Sequence, residues 1–185
     1  MIGYSFTGSF CTLKESVRAL GELVRPGEDV VPIMSERVCS TDTRFYKAED
    51  FVREVRELCG RDIVHTVAEA EPFGVRRLDA LVIAPCTGNT LAKIANGITD
   101  GAVTMAAKAH LRCDGKLLLA LASNDAMSQN LKNIAALLTR RAVYFLPMKQ
   151  DNPIEKPHSL VADFSMLPAA FAAMKDGVQL RPLFF

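Results

Sequence analysis

Short apolar runs of strand length alternate along this chain with longer segments whose apolar residues recur at helical spacing. That alternation is the mark of a parallel sheet with helices packed on both faces. The clearest run is Ala80-Leu81-Val82-Ile83-Ala84, apolar throughout and closed by Pro85. A strand without polar alternation has both faces buried, so this one belongs mid-sheet. Residues 2–6, 29–34, 116–122 and 142–147 supply further strands, and a weaker one covers 63–67. Leu13, Val17, Leu20, Leu23 and Val24 stripe a first helix that Pro26-Gly27 stops. Phe51, Val52, Val55, Leu58 and Cys59 mark a second. Helices are also expected at 89–96, ended by Gly97, at Ala-rich 102–111, along Leu131, Ile134, Ala135 and Leu138, and at 165–175. Residues 39–46 and 149–159 read as polar loops, and Glu71-Pro72-Phe73-Gly74 as an interruption. With 185 residues and no repeat, low-complexity tract or linker, the chain is expected to form one α/β domain over 1–185, a three-layer αβα arrangement with a doubly wound sheet.

Composition removes several classes of function. Lys and Arg number 22 against 21 Asp and Glu, so no charge surplus exists to hold a polyanion such as nucleic acid. The longest apolar runs fall far short of the roughly 20 residues of a membrane span, and the N-terminus reads as neither secretory signal nor transit peptide, which leads to the expectation of a cytoplasmic protein. Five cysteines and three histidines are scattered without Cys-x-x-Cys or Cys/His clusters, so neither a disulfide framework nor a metal site is expected.

Ligands of open parallel sheets gather at the carboxyl ends of the strands. Three corners should meet there: Thr7-Gly8-Ser9, Pro85-Cys86-Thr87-Gly88-Asn89-Thr90 and Ser123-Asn124-Asp125. Their small residues allow close backbone approach, and their hydroxyl and amide groups suit phosphate oxygens. Neither Gly-x-Gly-x-x-Gly nor Gly-x-x-x-x-Gly-Lys-Ser/Thr is present, so a mononucleotide such as FMN suits the crevice better than a dinucleotide.

The run Ala84-Pro85-Cys86-Thr87-Gly88-Asn89-Thr90, followed by Lys93 and by Gly97-Ile98-Thr99-Asp100, closely resembles a signature of the flavoprotein superfamily of FMN-dependent cysteine decarboxylases. A second family segment, Pro-Ala-Met-Asn-x-x-Met, falls on residues 121–127, where Leu121 and Ser123 replace the Pro and the first Met. Within the superfamily the chain is most similar to the B-subunit family of dipicolinate synthases. That likeness runs through Ser40-Thr41-Asp42-Thr43-Arg44-Phe45, Ala70-Glu71-Pro72, Ala106-Ala107-Lys108-Ala109, Gln150-Asp151-Asn152-Pro153 and Lys156-Pro157-His158-Ser159. It implies a flavodoxin-like sheet, an FMN pocket, and a partner, the A-subunit of dipicolinate synthase, that is similar to NAD(P)-dependent dehydrogenases. It also implies a small cyclic dicarboxylate substrate oxidised to dipicolinate during spore formation. Self-association as a trimer or multiple of trimers is a further expectation from the resemblance. The alternatives are an FMN-dependent decarboxylase, a flavin prenyltransferase of the same superfamily and a non-catalytic binding subunit.

Carried over residue by residue, the resemblance assigns Thr7, Gly8, Ser9, Ser35, Thr87, Gly88, Asn89, Thr90, Ser123 and Asn124 to the cofactor, with Asn89 and Asn124 nearer the ring. Asn89, Asn124 and His158 are the catalytic candidates. A dicarboxylate calls for cationic donors, and Arg44, Lys149, Lys156 and His158 lie in the two polar loops expected to overhang the crevice. Lys93 reads as a surface residue or an oligomer contact, Cys86 as packing filler, and His65 as a partly buried structural histidine rather than the decarboxylases' catalytic one. The apolar tail Phe184-Phe185 is expected to dock on a neighbour or on the domain's own flank.

Overall fold

Parallel strands β1 (Ile2–Phe6), β2 (Val30–Met34), β3 (Ala80–Thr87), β4 (Leu117–Ser123) and β5 (Val143–Phe145) pair in the order β2-β1-β3-β4-β5. The direction of winding therefore reverses between β1 and β3, the doubly wound order of flavodoxin-like sheets. This computed structural model describes residues 1–24 and 27–185, so Pro26, expected to stop the first helix, lies outside the described residues. Gly27 follows at φ 85°.

Helices α1 (Leu13–Val24), α2 (Glu36–Ser40), α3 (Ala48–Cys59), α4 (Val67–Ala70), α5 (Gly88–Ala95), α6 (Ala102–Leu111), α7 (Leu131–Leu138) and α8 (Leu167–Lys175) cover the sheet. Along β3, Ala80, Val82 and Ala84 enter one core with Leu20 of α1, Phe51 of α3 and Phe171 of α8. Leu81 and Ile83 enter the other with Leu91 of α5, Ala106 of α6 and Ile134 of α7. Alternate side chains of a strand point to opposite faces, so an apolar residue at every position of β3 serves two cores at once. The three-layer architecture follows from that single run.

The far edge of the sheet departs from expectation. Residues 149–159 do not form a plain loop: they join β6 (Met148–Lys149) to β7 (Leu160–Ala162) in an antiparallel pair. The first half of β4 pairs with β5, and its carboxyl end pairs with β7, Ala122 opposite Val161 and Ser123 opposite Leu160. Pro147 has no N–H to extend the β5 ladder, and β7 fills the space left beside the end of β4. The tail docks on the domain's own flank, Leu183 O accepting from Met148 N at 2.9 Å. At the opposite edge, residues 63–67 give only a bridge, Val64 to Ile33 of β2.

A buried polar contact pins the amino end of β4. His110 is 2 % exposed and its Nε2–H donates to the Lys116 carbonyl at 2.9 Å, the ring packed against Gly115, where a Cβ would stand 2.3 Å from it. Burial pulls the imidazole below its ordinary value, with the bond to Lys116 opposing. The unfolded chain then binds the extra proton first, so stability should be complete above about pH 6.5 and decline as pH falls below it. Urea melts between pH 7.5 and 5.5 should show that decline in the wild type and a shallower one in His110→Gln.

Candidate functional site

The carboxyl ends of β1 and β3 are joined by one side chain. Thr7, 1 % exposed, donates its hydroxyl to the Pro85 carbonyl at 2.8 Å and accepts from the Thr87 N–H at 2.9 Å. The register of β3 against β4 shifts between Ile83 and Cys86, around Pro85, which cannot donate to a ladder. From there the chain turns directly into α5. Thr87 caps it, its Oγ1 accepting from Thr90 N at 3.2 Å and donating to Thr90 Oγ1 at 3.0 Å. The Gly88 and Asn89 amides that open the helix have no acceptor within it. On β1 the equivalent corner, Gly8-Ser9, runs into a short 3-10 turn (Phe10–Thr12) and then α1. Two helical starts thus face one crevice of about 920 Å³, an arrangement suited to the phosphate of a mononucleotide.

The third corner differs in chemistry. Ser123 donates its hydroxyl to Asp125 Oδ1 at 2.5 Å, and Asn130 Nδ2 donates to the same oxygen at 2.9 Å. Asn133 Nδ2 donates to Asn130 Oδ1 at 2.9 Å, and Asn96 Nδ2 to Asn133 Oδ1 at 3.4 Å. Every donor in this sequence of bonds points toward Asp125. The Ser123 hydroxyl, aided by Asn130 and opposed by partial burial, holds the Asp125 carboxyl below its ordinary value. Gly88 allows the cluster to pack: a Cβ there would meet Ser123 Oγ at 2.5 Å and Asn130 Nδ2 at 2.6 Å. The expectation of three equivalent phosphate-receiving corners is therefore corrected: the corner after β4 presents an anion, and its hydroxyl is already donated. Asp125 was read from sequence only as the last residue of the third corner, and Asn130 and Asn133 were not singled out. The signal available was the Asn-rich start of α7 following an Asp, which reads equally well as ordinary capping.

Three cationic side chains line the crevice, Arg44 from the loop before α3, Lys132 from α7 and Lys156 from the β6–β7 connection; Lys132 was not singled out from sequence. Lys156 pairs with Asp151 at 3.0 Å, and Ser159, then Lys156, keep that carboxyl below its ordinary value. Gly8, Ser9, Thr87, Gly88, Asn89, Ser123 and Asn124 also line the crevice, whereas Thr7, Ser35, Thr90, Lys149 and His158 do not. Thr7 and Thr90 sit behind the lining with their hydroxyls engaged. Ser35 keeps a buried hydroxyl without a partner at the head of α2. Lys149 lies 4.0 Å from Asp163 and beside the Phe185 ring, and His158 is exposed, its carbonyl accepting from Met127 N.

His65 is not partly buried as expected; it is exposed beside Glu69 at 3.3 Å, outside the crevice. Cys86 is fully buried, and burial pushes its thiol up. Lys93 forms an ion pair with Asp100 at 2.7 Å across the turn at Gly97, whose φ is 72°, so the second half of the signature closes α5. A larger cavity of about 1030 Å³ lies at the amino ends of the strands, among Lys108, Arg112, Lys116, Arg140 and Arg141. The carboxyl ends of α6 and α7 account for cations there, and the Gly97-Ile98-Thr99 turn that opens onto it follows the carboxyl end of α5 rather than the start of a helix.

The family model described as Flavoprotein matches residues 1–179. The chain belongs to that family. It is 38% identical over 183 residues to the dipicolinate synthase B-subunit of Bacillus subtilis (strain 168), covering 98% of this chain and 92% of the relative. The crystal structure of the dipicolinate synthase B-subunit from Bacillus halodurans C superposes with a TM-score of 0.91 at 38% identity, over 100% of this chain and 95% of that one. The FMN-dependent cysteine decarboxylase SpaF shares the fold at a TM-score of 0.70 and 20% identity, with 95% of each chain covered. Among the described residues of this flavoprotein, no helix is long and apolar enough to cross a membrane.

The two crevice glycines should respond differently to a methyl group. Gly88→Ala drives a Cβ into the Ser123–Asn130 cluster and should cost about 1–3 kcal/mol in denaturant melts. Gly8→Ala, whose Cβ would meet only the Phe10 ring at 3.7 Å, should stay within about 0.5 kcal/mol of wild type.

Proposed function

We propose that this chain is the flavin-binding subunit of a dipicolinate synthase. With FMN in the crevice and a dehydrogenase-like A-subunit that uses NAD(P), it oxidises a dihydro- or hydroxy-tetrahydro-dipicolinate to dipicolinate. The observation that carries the reading is the convergence of two helical starts and three cations on one crevice, in a chain so similar over its whole length to dipicolinate synthase B-subunits.

The residues present fit FMN at the Gly8-Ser9 and Thr87-Gly88-Asn89 corners, where small side chains leave room; the Ser9 N–H is given to the Thr7 carbonyl at 2.7 Å, so the Gly8 amide and the Ser9 hydroxyl are the donors offered to a phosphate at the first corner. The orphaned Ser35 hydroxyl at the end of β2 is one more donor on the same edge of the sheet. Bound there, FMN supplies an acceptor for a hydride equivalent when a dihydropyridine ring loses two hydrogens. Arg44 and Lys156 hold the substrate carboxylates at the rim, the guanidinium pairing with both oxygens of one group. Asn89, exposed in the first turn of α5, and Asn124, exposed after β4, orient ring and substrate by amide hydrogen bonds. The decarboxylase alternative is weaker, because the histidine it would use, His65, does not line the crevice.

Titrating the isolated chain with FMN should quench flavin fluorescence at one site per chain; a protein that leaves FMN unperturbed argues against the reading. With the A-subunit added, Arg44→Ala should raise the KM for the dicarboxylate by about tenfold or more while FMN binding stays intact.

A further inference from the structure

Within the crevice, charge is not evenly placed. Asp151 is matched by Lys156, but Asp125 has no cation within ion-pair distance among the described residues. Its Oδ1 accepts from Ser123 and Asn130, its own amide adds a backbone hydrogen bond to the carboxyl, and among the described residues no other side chain donates to it. An ionised carboxylate only accepts, so Asn130 must turn its Nδ2 to Asp125 and its Oδ1 to Asn133, which fixes the whole Asn96–Asn133–Asn130 sequence of donors. The result is a rigid anionic acceptor, backed by two buried asparagines and seated against Gly88.

We propose that Asp125 is the specificity-determining acceptor of the crevice, taking the imide N–H of the flavin ring and so setting which end of FMN lies at β4. This rests on the crevice being the FMN site. Because Asp125 Oδ1 lies against Gly88, the carboxylate repels the phosphate away from the β3 and β4 corners toward the Gly8 corner after β1. The part of the cofactor left to face β4 is then the uncharged ring, whose single N–H in the oxidised state is N3–H. A neutral ligand with a ring N–H is favoured at this end, and a second anion is excluded from it.

The test is a double cycle on binding, read by flavin fluorescence and independent of turnover: wild type and the isosteric Asp125→Asn, each with FMN and with 3-methyl-FMN. Loss of a hydrogen bond to a charged acceptor should weaken FMN binding to Asp125→Asn roughly 10- to 100-fold. The methyl group should weaken binding to wild type similarly, and the two changes together should be about tenfold or more short of multiplicative. The wild-type comparison of FMN with 3-methyl-FMN does not depend on the variant folding. FMN binding by wild type with strictly multiplicative effects overturns this assignment and leaves the flavin site standing. Absence of FMN binding to wild type overturns both.

Discussion

Pro85 interrupts the hydrogen-bond ladder of the central strand at the point where the sheet changes its direction of winding, and the Thr7 hydroxyl replaces what is lost. It donates to the Pro85 carbonyl and accepts from the Thr87 amide, so a buried side chain reinforces the one long backbone bond, Thr7 N to Pro85 O at 3.3 Å, that joins the ends of β1 and β3. On the preceding peptide, Ser16 of α1 donates to the Ala84 carbonyl and Tyr4 donates to the Ser16 carbonyl at 2.9 Å. The backbone can therefore leave the ladder, turn into α5 and present free amides without stranding buried polar groups. Gly8, Ser9, Gly88 and Asn89 owe their common aspect to this junction.

The chemistry of the crevice is divided by position. Small residues stand at the β1 and β3 corners, a fixed carboxylate reaches from the β4 corner against Gly88, and Arg44, Lys132 and Lys156 stand around them. Such a division orients a ligand that is anionic at one end and a neutral hydrogen-bond donor at the other, as FMN is. The antiparallel β6–β7 pair brings Lys156 to the rim, and it exists because Pro147 ends the β5 ladder early. A local backbone restriction thus decides which charged loop reaches the site.

Much of this architecture was legible in the sequence. The parallel strands were readable because apolar runs leave no other option, and Gly97 was readable as a stop because its position requires positive φ. The β6 and β7 strands were not, since two- and three-residue strands in a polar stretch acquire their identity only by pairing with the end of β4. Residues 63–67 have strand composition but lie beyond the edge at β2, where Pro32 offers only its carbonyl to Val64. Two of the three corners were readable as amide-rich turns. That Thr7 braces the site from behind, that Asp125 gathers the donors of Ser123 and Asn130, and that Lys156 rather than Lys149 or His158 reaches the crevice depend on contacts between segments distant in sequence or on the register of a short hairpin.

The crevice at the carboxyl ends of β1, β3 and β4 is proposed to hold flavin mononucleotide. A crystal structure of the chain soaked with FMN tests it most directly. Phosphate density is expected within hydrogen-bond distance of the Gly8 amide and the Ser9 hydroxyl. Flavin bound instead among Arg112, Arg140 and Arg141 at the opposite end of the sheet would contradict it.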